Sequence, residues 1–372
     1  MPPTASPAGP LAGRTILEAA RTDGSEVALR AIALAGRIAV DLGADVIKVE
    51  PPGGDVLRRT PPFIAGRDGE PVSATHVFLD RGKRSLVLGS SDNADAIIAR
   101  LARRAQAVLT DRVQGVLGNG ASVTVLLSHG LPASLGIPDA RVTDRSILAA
   151  SGILDLVGDL DAAPIALGGH QASYVAGLAA FSGLVAGLAA VDRGRRHETV
   201  RISALEACLW SNWKSFAERL YVGQSPRRQG PDAEWQILPC ADGYATFIYL
   251  DKDWPAIVRL IGDERLGCPP LDTRAGRKQH MADVLAMVRP WYAARNRAEV
   301  FELAKAAGLP IGPVLGVPEL ARDAQYAALA FLAPPQGEGD DAPGRVPSLP
   351  TTWNGRRFRP RATSGTWLEG TP

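Results

Sequence analysis

At about 150 residues per domain, a chain of 372 residues makes roughly two domains. Apolar residues are 46%, charged residues 22% and aromatic residues 6%, which excludes a disordered or fibrous chain. The 41 basic and 39 acidic residues leave a formal charge of +2, so there is no broad electrostatic case for nucleic acid or an anionic membrane. Cys208, Cys240 and Cys268 are widely spaced without a CxxC, which indicates neither a disulfide framework nor a metal site. The opening MPPTASPAGP lacks the basic and apolar regions of a signal peptide, so the cytoplasm is the expected location.

In chain order, Thr15–Leu17 is a brief apolar run, Val27–Leu42 reads as a helix and Ala44–Val49 as a buried strand. Leu86–Leu88 is a short strand, Asp92–Ala105 a helix with Asp92 as its N-cap, and Ala107–Leu109 and Val123–Leu127 are further strands. Helix Tyr174–Val191 and strand Glu198–Ile202 continue the alternation, which predicts right-handed βαβ units around a parallel sheet. Residues 162–191 carry no Lys, Arg, Asp or Glu. Their Ala and Gly content, with few large aliphatic side chains, suits a buried packing helix better than a bilayer span.

Gly223–Glu234 reads as a linker or exposed loop. Beyond it, a turn at Ala241–Tyr244 leads into a strand, Ala245–Tyr249. Helices are then predicted over Trp254–Ile261, Lys278–Ala293 and Arg297–Ala307, giving a smaller α+β unit. From Ala333 the chain is rich in Pro and Gly and is expected to wrap over other structure. The expected division is a Rossmann-like α/β domain over 1–222, a small α+β domain over 223–325, and a segment over 326–372 returning to the large domain.

Common active-site patterns are missing: no GxGxxG follows the first strand, and no GxxxxGK[ST], GxSxG or HExxH occurs. Five scattered histidines are read mainly as structural residues, although the setting of His170 suggests a loop at a helix entrance. Of only six lysines, two fall in the strings Leu42–Asp55 (LGADVIKVEPPGGD) and Arg81–Leu86 (RGKRSL). Lys48 with Glu50 reads as a solvated pair at a strand end, and Lys83 with Arg84 as a surface cluster. The alternative reading sets these basic side chains against phosphates.

DLGADVIKVEPPGGD, RGKRSLVL and ARRAQAVL together resemble the N-terminal signature of class III CoA-transferases. The resemblance continues through Ala150–Ile153, Arg201–Ala207, ADGY, Trp254 and GLPIGPVLGVPELARDAQ, in order along nearly the whole chain. It implies a Rossmann-like large domain, a small α+β domain and two ring-shaped chains threaded through each other. It further implies CoA or acyl-CoA as substrate, no tightly bound cofactor, and contacts to the CoA moiety from Lys83, Arg84, Leu88, Asp111 and Arg112. Family members attack the thioester carbonyl with an aspartate, forming a mixed anhydride and then an aspartyl thioester.

The aspartate lies four residues before the glycine that starts the long Ala/Gly helix. Here that glycine is Gly177 and the residue is Ser173. A racemase-like branch uses a His/Asp pair, but His170 is followed by Gln171. The usual Ala-Gly-Pro loop reads Ala20–Ser25 (ARTDGS), and the usual Glu-Asn loop reads Thr110-Asp111-Arg112. The expected centre is therefore non-standard, with Ser173, His170 and Asp144 as its candidates. The readings are a CoA-transferase, an isomerase or lyase acting on acyl-CoA, a subunit pairing with an aspartate-bearing paralogue, or a binding protein for another ligand on the same scaffold. The chain is expected as a homodimer or as a heterodimer with such a paralogue.

Overall fold

The computed structural model describes residues 9–21, 23–66, 69–89, 93–112, 120–228, 230–333, 345–358 and 367–369. The first half alternates as the apolar runs predict: β1 (Thr15–Glu18), α1 (Glu26–Asp41), β2 (Asp45–Glu50), α2 (Ala74–Asp80), β3 (Arg84–Val87), α3 (Ala94–Ala102), β4 (Ala107–Thr110) and β5 (Val123–Ser128). There follow α4 (Asp144–Ala150), α5 (Gln171–Asp192), β6 (Glu198–Ser203), α6 (Ala204–Ser211) and α7 (Trp213–Val222). Asn93 caps α3, its side chain accepting from Ala96 N; Asp92, the expected cap, lies outside the described residues.

After β7 (Gln236–Cys240) and β8 (Gly243–Phe247), the strand β9 (Trp367–Glu369) completes a sheet with order β9-β3-β2-β1-β4-β5-β6. Every pairing in it is parallel. One face, carrying Ile16, Val46, Leu109 and Val125, packs with α1 and α5. The other, carrying Leu17 and Val108, packs with Ile98 and Ala102 of α3. This two-sided cover explains the nearly continuous apolar strands. From β1 the chain crosses to β2 on one side, while β4 lies on the other, so a topological switch opens at the carboxyl ends of β1 and β4.

Helix α5 is long and apolar enough to cross a membrane by composition. Here it packs against α1 and the sheet. A Cβ on Gly177 would lie 3.0 Å from the Ala31 carbonyl of α1, so glycine permits this close approach.

The chain divides into two compact units: residues 1–157, 165–226 and 325–372, and residues 158–164 with 227–324. Gly158–Pro164, which the expected division leaves with the large domain, groups with the second unit, where Arg228 Nε donates to the Asp159 carbonyl. In that unit β7 and β8 form an antiparallel pair. Its core gathers Leu238 and Phe247 with side chains of α8 (Trp254–Ile261), α10 (Met281–Ala293) and α11 (Arg297–Ala306). The expected helix Lys278–Ala293 is divided at His280, where α9 (Arg274–Gln279) ends and α10 begins.

Candidate functional site

Because α5 leads back into β6 and both α1 and α5 run antiparallel to the sheet, the amino ends of these helices lie at the carboxyl edge of the strands. Ser173 is the third residue of α5 and has no exposed surface. Its amide donates to Asp144 Oδ1 at 2.7 Å and its hydroxyl to Asp144 Oδ2 at 2.8 Å. Asp144 opens α4, so a carboxylate from another helix caps α5 and is favoured by its positive end. His170, the residue before α5, places Nδ1 3.6 Å from Asp144 Oδ2. Arg30 of α1 places Nη1 3.9 Å from the same oxygen and donates from Nη2 to Glu26 at 2.7 Å.

The structure thus brings together all three residues nominated for the centre, but in a specific arrangement. The serine is sealed behind the carboxylate, and the histidine side chain retains 32% exposure. Burial and the Arg30 charge hold the His170 imidazole below its usual 6.5, while Asp144 and Glu26 pull it upward. Burial, reinforced by Asp144, pushes the Cys208 thiol up to about 11, which makes it inert.

The residues expected at the CoA moiety are arranged differently from that expectation. Lys83 is not on the surface: its ammonium donates to Glu18 Oε2 at 2.6 Å, Asp80 Oδ1 at 2.8 Å and the Ala33 carbonyl at 2.9 Å. A Cβ on Gly36 would lie 2.5 Å from Glu18 Oε2, so α1 carries glycine where this ion cluster needs room. Lys48 and Glu50 are likewise buried rather than solvated. Lys48 pairs with Asp80 and Asp55, whereas Glu50 accepts from Arg58 at 2.6 and 2.7 Å. They share the inward face of β2 with Val46 because side chains alternate along a strand. Arg84 starts β3 and makes a two-pronged contact with Asp45 at 2.9 and 2.6 Å, at the amino edge of the sheet and away from the switch. Leu88 packs in the core beside α3.

Asp111 and Arg112 do reach the switch, where they tie loops together. Arg21 N donates to Asp111 Oδ1 at 2.7 Å, and Arg112 Nη1 donates to Asp95 at 3.2 Å. Burial raises the Asp111 carboxyl above its ordinary value, with the Arg21 amide opposing. A cavity of about 150 Å³ opens at the ends of β1 and β2, lined by Leu29, Lys48 and the flanking Arg21 and Arg59. Arg59 is exposed and donates to the Gly53 carbonyl at 3.0 Å. Sequence reasoning passed over both arginines; Arg21 comes just after β1, and Arg59 ends the short helical turn that follows β2. Helix α1 links the cavity to the centre, since Leu29 lines one and the adjacent Arg30 faces the other.

A model of CoA-transferase family III matches residues 11–119 and 139–364. The succinate–glutarate CoA-transferase of Agrobacterium fabrum is 26% identical over 96% of this chain and 93% of its own length. The succinyl-CoA:(R)-benzylsuccinate CoA-transferase subunit BbsE of Thauera aromatica is 27% identical over 78% of this chain and 77% of its own. Among solved structures, a CAIB/BAIF family protein from Brucella suis superposes with a TM-score of 0.80 at 25% identity, covering 97% of both chains.

Proposed function

The chain belongs to CoA-transferase family III, and on that premise we propose that it moves CoA from an acyl-CoA thioester to a free carboxylic acid without a covalent intermediate on residue 173. One observation carries this reading: the Ser173 hydroxyl is unexposed and committed to Asp144. A serine with no exposed surface lacks the access that nucleophilic attack requires. The acceptor acid's own carboxylate then takes the attacking role. One of its oxygens bonds to the thioester carbonyl carbon, the C–S bond breaks, and CoA leaves as thiolate with the electron pair. The thiolate attacks the acceptor-derived carbonyl of the mixed anhydride, releasing the donor acid and forming the new thioester.

In this reading Asp144 and Ser173 are positioning residues. Arg59 meets the phosphates of CoA at the cavity mouth, beside Arg21, whose guanidinium is paired with Asp23 and Asp139. Succinyl-CoA with glutarate is the first pair to test, after the name of the Agrobacterium relative. Initial rates with both substrates varied should give intersecting reciprocal plots, and hydroxylamine should trap no acyl derivative of the chain. Parallel plots with a trapped adduct would overturn the reading.

Trp210, Trp213, Phe216, Leu220, Tyr221 and Val222 crowd two consecutive helices and are all exposed. Such a face supports a paired assembly that covers it. A second reading makes this chain one subunit beside a paralogue that carries the aspartate, and the subunit name of the Thauera relative favours it. Transfer activity appearing only with such a paralogue would establish that reading.

A further inference from the structure

His170 is the one member of the Asp144–Ser173–His170 cluster with substantial exposure. Its carboxylate neighbour is fixed from behind, because Ser173 occupies Asp144 Oδ1 with its amide and Oδ2 with its hydroxyl. Nδ1 faces this pinned carboxylate, which favours the tautomer that carries its proton there. Nε2 then presents a lone pair, and among the described residues no protein group bonds to it.

We propose that His170, oriented by Asp144, is a general base for water, so that the chain hydrolyses acyl-CoA to free acid and CoA when no acceptor acid is bound. The inference rests on the acyl-CoA reading above. The charged and titratable groups around the ring are Asp144 from α4, Arg30 and Glu26 from α1, and Tyr174 from α5. Their combined effect with burial leaves the imidazole as free base at neutral pH.

Water loses a proton to Nε2 as its oxygen bonds to the thioester carbonyl carbon. The tetrahedral adduct collapses, the C–S bond breaks, and the electron pair departs on sulfur. Nε2 returns the proton to the thiolate, leaving a carboxylic acid and CoA. A transferase with an enzyme carboxylate captures the acyl group before water does. Here that capture is absent, so water competes directly with the acceptor.

The test is chromatographic measurement of CoA released from acetyl-CoA by the full chain, without acceptor, from pH 5 to 8. The rate should rise through a single inflection below 6.5 and then level off. His170→Gln should lower the plateau by about 10²–10⁴-fold, the usual worth of a positioned base. Asp144→Asn should lower the rate and move the inflection to more acid pH, since the carboxylate's upward pull is gone; a merely structural role would not move it. Calorimetric binding of acetyl-CoA to each variant reports an intact site. Release that stays at the blank level despite binding, a profile without the inflection, or wild-type hydrolysis by His170→Gln would each overturn the proposal. Failure of the unaltered chain to bind acetyl-CoA would instead overturn the acyl-CoA reading on which it stands.

Discussion

Replacing Lys83 with methionine removes one ammonium from a buried cluster of three carboxylates and two lysines. Lys83 Nζ touches Glu18 at 2.6 Å, Asp80 at 2.8 Å and the Ala33 carbonyl at 2.9 Å, and its side chain is 2% exposed. Without it, Lys48 and the His76 imidazole, 2.9 Å from Asp80, are left to face Glu18, Asp55 and Asp80. Breaking a buried pair from one side costs about 3–5 kcal/mol, because an uncompensated charge stays behind. Against a typical total of about 5–15 kcal/mol, this should lower the urea midpoint sharply or prevent folding. Urea unfolding followed by tryptophan fluorescence measures the loss. Arg59→Ala is the companion variant: it should change the stability by no more than about 0.5 kcal/mol, as for an exposed residue, while weakening CoA binding in calorimetry. A Lys83→Met chain with an unchanged midpoint and lost CoA affinity would refute the reasoning and return Lys83 to the phosphates.

Ser173→Asp, which would supply the family's carboxylate, should instead destabilise the chain by about 3–5 kcal/mol, because it sets a second buried carboxylate against Asp144. Adding Asp144→Asn should recover most of that loss in thermal unfolding. Arg58 holds the Glu50 carboxyl down at about 2 from an ordinary 4.5, against the opposing effect of burial. Its contribution to stability is therefore complete above 4.5 and lost as pH falls towards 2, and Glu50→Gln should flatten the stability profile across that window. Sedimentation at nanomolar concentration should show more than one chain per particle, and Trp210→Asp with Leu220→Asp should reduce it to monomer; a monomeric unaltered chain would contradict the covered face.

The alternation of strands and helices was legible because strands buried on both faces read as continuous apolar runs, as Ala107–Leu109 and Val123–Leu127 do. The glycine that admits α5 to α1 was likewise visible in an uncharged Ala/Gly stretch. What the sequence hid were the partners of polar residues. Lys48 looked solvated because Asp80, at the end of α2, lies 32 positions away, and they meet only because the chain turns from α2 into β3 beside β2. Arg84 looked like a phosphate ligand until its place at the amino edge, bound to Asp45, was set by the parallel register. Ser173, His170 and Asp144 were nominated by position alone. That the serine is the sealed member and the histidine the open one depends on α4 packing against the first turn of α5.

A single turnover with acceptor acid labelled with ¹⁸O in its carboxylate tests the absence of an enzyme-bound acyl group most directly. If the acceptor attacks the thioester itself, the label passes straight into the donor acid released in that first turnover, and no peptide of the chain gains mass. Unlabelled donor acid together with ¹⁸O in a carboxylate of the protein would contradict the account, because the oxygen would then have come from an aspartyl or glutamyl intermediate.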